Sequence, residues 1–70
     1  MPDVTIYTKP GCPYCAAAKE HYRDIGVDYK EIDVYAVKGA KDEVVRLADG
    51  KSIVPVIVED GKVQIGFGGG

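Results

Sequence analysis

No stretch of this chain approaches the ~18 consecutive apolar residues of a membrane-spanning helix, so no membrane role is expected. There is no basic block either. Nine basic and eleven acidic side chains are mixed along the chain and leave a formal net charge of −2, which argues against nucleic acid as a partner. The tyrosines are scattered without a lysine or arginine stripe beside them, so a stacking surface for single strands is not expected. Met1-Pro2-Asp3-Val4 carries neither the basic start nor the apolar run of a secretory leader, and a cytoplasmic chain is expected. Cysteine is scarce: two residues, Cys12 and Cys15, where secreted mini-proteins use more at longer spacings. A disulfide closing so short a loop gives about 2 kcal/mol in the chain-entropy picture, against about 4.7 kcal/mol for a 100-residue loop. A redox role suits this pair better than a structural one. Zinc wants about four ligands, and the chain adds only His21 to the two cysteines. His21 lies about 600° around a helix from Cys15 and faces away from it. No metal is expected.

What is present is an ordinary globular composition, 46% apolar and 29% charged, in 70 residues. That length supports a single domain, residues 1–70, with a thin core. Val4-Thr5-Ile6-Tyr7-Thr8 alternates and is β-branched or aromatic, which predicts a strand. Lys9-Pro10-Gly11 breaks it, and Pro13 suits the first position of a helix. Cys15, Ala18, Tyr22 and Ile25 form one apolar stripe on that helix, and Gly26 sits where a left-handed cap is expected. Residues 27–34 predict a second strand, with Val27 and Tyr29 pointing one way and Ile32 and Val34 the other, as in a strand covered on both faces. Ala40, Val44, Leu47 and Ala48 mark a short second helix ended by Gly50. This order implies a parallel strand pair joined by a right-handed crossover. Residues 53–58 are an apolar run interrupted by Pro55, Asp60-Gly61 is a hairpin signal, and Val63-Gln64-Ile65 returns as a fourth strand. The expected order is β-α-β-α-β-β.

The chemistry lies in Cys12-Pro13-Tyr14-Cys15, at a strand-to-helix junction. The spacing places Cys12 at the start of the helix and Cys15 one turn in. Free amides and the positive end of the helix dipole favour an anion on Cys12, the attacking thiolate of disulfide exchange. Cys15, on the apolar side, is expected to be more buried and to attack the mixed disulfide from within. Lys9 adds positive charge nearby. Pro55 is the second signal. Proline inside a strand is rare unless it opens the strand or has a special peptide geometry. The residues alone leave a trans proline at the strand start and a cis Val54–Pro55 bond both open.

Taken together, Thr8-Lys9-Pro10-Gly11-Cys12-Pro13-Tyr14-Cys15, the order of elements, Val54-Pro55 after Gly50-Lys51-Ser52-Ile53, and Gly66 resemble the glutaredoxin family over nearly the whole chain. The resemblance implies an α/β thioredoxin-like fold with a mixed four-stranded sheet. It implies thiol–disulfide oxidoreductase activity on protein disulfides or glutathione mixed disulfides, with glutathione as reductant and no tightly bound cofactor. It assigns Cys12 and Cys15 as the catalytic dithiol. Lys9, Tyr14, Val54, Pro55, Gly66 and Phe67 would hold glutathione, Val54 through its backbone beside a cis Pro55. Two departures stand out. Ile53 replaces the family's usual threonine. The chain reads Gly66-Phe67-Gly68-Gly69-Gly70 where the family continues Gly-Gly-x-Asp-Asp into a final helix. That helix is therefore expected to be missing, along with the acid that would meet glutathione's amine. Backbone amides of the glycine run from Gly66 could instead cradle a carboxylate. Without the helix, apolar side chains of the last hairpin are expected to be partly exposed, with Phe67 folding back over them, in a monomer or weak dimer. Gly66-Phe67 also resembles the short glutaredoxin-like hydrogen donors of ribonucleotide reductase, which thioredoxin reductase recharges. An iron–sulfur cluster carrier is a further reading, disfavoured by the stiff Pro13, as is a non-catalytic interaction module, disfavoured by the intact cysteines.

Overall fold

The computed structural model of the protein describes residues 4–50 and 54–67. Six elements follow in the order expected: β1 Val4–Thr8, α1 Pro13–Asp24, β2 Tyr29–Asp33, α2 Ala40–Leu47, β3 Val56–Glu59 and β4 Lys62–Ile65. The sheet order is β2-β1-β3-β4. β1 runs parallel to β2 and antiparallel to β3, and β3 is antiparallel to β4, so the sheet is mixed.

Alternation along the strands divides the core between the two faces. Val4 and Ile6 of β1 and Ile57 of β3 meet Ala18 and Tyr22 of α1, with Val27, Tyr29 and Phe67 packed against them. On the other face Val56 joins Ala40, Val44 and Ala48 around α2, with Val34, Tyr7, Ile32, Leu47 and Val54. The split foreseen for the second strand is present, Val27 and Tyr29 on one face and Ile32 and Val34 on the other. Because β2 is the edge strand, however, Lys30 and Glu31 remain exposed and the strand is not fully covered.

The structure corrects the helical stripe at Ile25. α1 stops at Asp24, and Ile25 is its C-cap, 56% exposed. The N–H of Gly26, at φ 73°, bonds to Arg23 O and that of Val27 to Tyr22 O at 2.9 Å. This is the paired capping pattern of a helix closed by a left-handed residue. It turns the chain so that Val27, not Ile25, reaches the core. The same turn delays β2 to Tyr29. α2 ends through Gly50, whose N–H bonds to Val45 O at 2.7 Å.

The third strand begins at Val56, later than the expected residues 53–58; Ile53 lies outside the described residues. The Val54–Pro55 bond is cis. Asp60 and Gly61 both have positive φ, 52° and 80°, as the two-residue hairpin turn requires. In β4 the register pairs Ile65 with Val56 and Val63 with Val58, on the α2 side, where both are close to half exposed. On the α1 side the hairpin presents Glu59, Lys62 and Gln64 beside buried Ile57. The expected apolar exposure therefore falls on the face of α2, while the α1 face of the hairpin is mostly polar. Phe67 does fold back on the α1 side, 5.4 Å from the ring of His21. Among the described residues no helix follows β4, and none is long and apolar enough to cross a membrane.

Candidate active site

Cys12 is the N-cap of α1, in extended backbone at φ −89° and ψ 111°, with Pro13 as the first helical residue. Its carbonyl accepts the Ala16 N–H at 3.2 Å, and its sulfur accepts the Cys15 N–H at 3.3 Å. The sulfur thus stands where a capping oxygen usually stands and takes one of the free N–H groups of the first helical turn. Both thiols are free. Cys12 is partly exposed, while Cys15 points inward at 2% exposure. Burial, reinforced by the hydrogen bond shared with Cys12, pushes the Cys15 thiol up to about 11. It is therefore protonated at neutral pH. Brief treatment of the reduced native protein with iodoacetamide at neutral pH is expected to alkylate Cys12 and spare Cys15, as peptide mass mapping would read. Equal labelling of the two would mean that Cys15 is not shielded.

The dithiol opens on a groove of about 440 Å³. The end of β1 and the following turn contribute Thr8, Lys9, Pro10 and Gly11, and β2 contributes Glu31 and Asp33. Buried Thr8 donates its hydroxyl to Glu31 Oε2 at 2.9 Å, and Lys19 Nζ donates to the same oxygen at 3.0 Å. The Lys19 ammonium holds the Glu31 carboxyl below its ordinary range, with the Thr8 bond acting the same way. The pair is thus intact above the usual carboxylate pKa and is lost as pH falls through the lowered one. A second hollow of about 130 Å³ lies between Lys9, Val34, Tyr35, Lys41, Val44 and Val54. There the Lys41 ammonium sits 4.0 Å over the Tyr35 ring.

Of the residues singled out in the sequence, Cys12, Cys15 and Lys9 meet in the larger groove, and Lys9 also joins Val54 in the smaller one. Pro55 is buried, and its carbonyl accepts the N–H of buried Gly66 at 2.8 Å. Tyr14 is 44% exposed and lines neither hollow. Phe67 packs against His21 and the α1 core instead of beside the cysteines. Gly68, Gly69 and Gly70 lie outside the described residues. Sequence reading passed over Lys19, Glu31, Asp33, Tyr35 and Lys41. Lys19 carries a local signal, one helical turn beyond Cys15. Glu31 and Asp33 have none, because only the pairing of Ile6 with Glu31 and Thr8 with Asp33 brings β2 to the groove.

A three-layer mixed sheet with a dithiol capping its first helix defines a thioredoxin-like fold. The fold is shared with the glutaredoxin from Archaeoglobus fulgidus, with a TM-score of 0.82 and 28% identity over 96% of this chain and 77% of that one. The family model described as glutaredoxin matches residues 4–64, and the chain belongs to the glutaredoxin family. The glutaredoxin of Pseudomonas aeruginosa is 42% identical over 57 residues, 81% of this chain and 67% of that protein. The Gene 56 protein of Mycobacterium phage L5 is 33% identical over 64 residues, 91% of this chain but only 62% of that protein's length.

Proposed function

We propose that this protein is a dithiol thiol–disulfide oxidoreductase in which Cys12 attacks a substrate disulfide and Cys15 releases the reduced product. The observation that carries this reading is the pairing of a partly exposed Cys12, hydrogen-bonded through its sulfur, with Cys15 buried behind it. Attack by Cys12 leaves a mixed disulfide. Attack by Cys15 is then intramolecular and fast, because the two residues share one helical turn. The substrates are protein disulfides and glutathione mixed disulfides, in a reducing compartment such as the cytoplasm.

Glutathione is the proposed reductant, supported by Lys9, which lines both the dithiol groove and the smaller hollow that Val54 also lines. A specific observation favours thioredoxin reductase as the alternative donor. The Gly66 N–H is committed to Pro55 O, and Phe67 packs against the α1 core. Two of the residues expected to meet glutathione are therefore engaged elsewhere. A hydrogen donor for ribonucleotide reductase would be of this second kind.

A coupled NADPH assay separates the two donors. Glutathione with glutathione reductase is offered in one cuvette and thioredoxin reductase in the other. Turnover in the first alone supports glutathione, turnover in the second alone supports the alternative, and turnover in neither removes the reductase reading. Redox equilibration gives an independent measure. A potential in the glutaredoxin range of roughly −200 to −230 mV is expected, and a value near −270 mV would favour the thioredoxin-like alternative.

A further inference from the structure

Resolution of a mixed disulfide requires Cys15, buried and protonated at neutral pH, to become a nucleophile. Five titratable or charged residues surround it in the groove: Cys12 and Lys19 on its own helix, Lys9 from the preceding turn, and Glu31 and Asp33 from β2. Glu31 and Asp33 bring carboxylates to the groove in which Cys15 must become a thiolate, and Lys19 is the cation paired with one of them. Lys19 lies four residues after Cys15, on the same side of α1. Its side chain is only 28% exposed, and its ammonium is tied at 3.0 Å to Glu31 Oε2, the oxygen that also takes the Thr8 hydroxyl. An ordinary surface lysine would be free to leave; this one is held over the groove by a partner on another element.

We propose that Lys19, held in place by Glu31 and Thr8, supports the resolving step by stabilising the negative charge that forms on Cys15 Sγ as it attacks the mixed disulfide. The inference rests on the roles given above to Cys12 and Cys15. In this step the Cys15 S–H proton passes to water in the groove and a Cys15–Cys12 S–S bond forms. The bond between Cys12 Sγ and the substrate sulfur breaks. The substrate sulfur leaves with the electron pair as a thiolate and takes up a proton, so the dithiol is oxidised and the substrate reduced. Lys19 stays protonated throughout and acts by its charge. Burial and the hydrogen bond with Cys12 disfavour the Cys15 thiolate, whereas the Lys9 backbone hydrogen bond and, more weakly, the Lys19 charge favour it.

The test separates the two exchanges in time. Reduced protein is mixed in a stopped-flow instrument with a limiting amount of dithiobis(nitrobenzoate). The first nitrothiolate released reports attack by Cys12, and the second reports resolution by Cys15. Removing a neighbouring opposite charge raises a thiol pKa by about one unit at the low end of such effects. The thiolate fraction then falls about tenfold, partly offset because a more basic thiolate is a better nucleophile, with a Brønsted slope of about 0.4–0.5. Lys19→Gln is therefore expected to slow the second release about three- to fourfold at neutral pH. It is also expected to move that phase's pH profile up by about one unit, with a smaller effect on the first phase. Lys19→Arg, which keeps the charge, restores both rate and profile. The inference is overturned if Lys19→Gln leaves the second phase and its pH profile unchanged. It is equally overturned if both phases slow alike, or if Lys19→Arg is as slow as Lys19→Gln. A wild-type protein that shows no second phase would overturn the dithiol reading itself, and that outcome is distinct from any result with the Lys19 variants.

Discussion

Cys12→Ser is expected to reduce turnover to background on every disulfide substrate, whereas Cys15→Ser retains turnover of glutathione mixed disulfides and loses that of protein disulfides. A serine hydroxyl at residue 12 can still take the Cys15 N–H but cannot open a disulfide at neutral pH. Cys15 cannot substitute, because it lies 2% exposed behind the helix start with its thiol pushed up to about 11. In Cys15→Ser the nucleophile is intact, and glutathione from solution can discharge the glutathione adduct it forms. A protein adduct, by contrast, has lost its internal resolving thiol. Paired assays on a glutathionylated peptide and on a disulfide-bonded protein check both statements. Wild-type reduction of the protein disulfide by Cys15→Ser would reverse the assignment of roles.

Ile57→Ala is expected to cost about 2–5 kcal/mol, the range for emptying a buried large aliphatic position. Ile57 is 1% exposed and belongs to the apolar cluster beneath α1 with Val4, Ile6, Ala18 and Tyr22. It lies in β3, between β1 and β4, so the cavity would open in the middle of the sheet. A domain this small has little stability to lose. For its size each kcal/mol corresponds to about 4–8 °C in Tm, so thermal unfolding followed by circular dichroism should show a fall of at least about 8 °C or no folded baseline at all. Val63→Ala is the contrast. That side chain is 42% exposed on the edge strand β4, and its loss should move Tm far less. Equal effects at the two sites would mean that Ile57 is not a core position.

What the amino-acid sequence determined by itself was local. The alternation of Val4–Thr8, the breaker Lys9-Pro10-Gly11 and Pro13 set a helix start immediately after a strand, with Cys12 as its cap. Asp60-Gly61 marked the hairpin, since both residues must take positive φ there. Val27, Tyr29, Ile32 and Val34 announced their two faces through side-chain alternation alone. These features survive because each depends on a residue and its near neighbours. Where the stripe of α1 would end was less legible: Ile25 fits the helical period, but the capping turn at Gly26 hands its place to Val27. The remaining features were decided by pairing across the sheet. β2 brings Glu31 and Asp33 to the dithiol only because it lies parallel to β1 in one particular register. Val63 and Ile65 stay exposed on the sheet face that α2 occupies, and Phe67 is drawn to the α1 core instead of to the cysteines. Contacts between residues far apart in the chain leave no periodic trace along it, so only the tertiary structure could decide them.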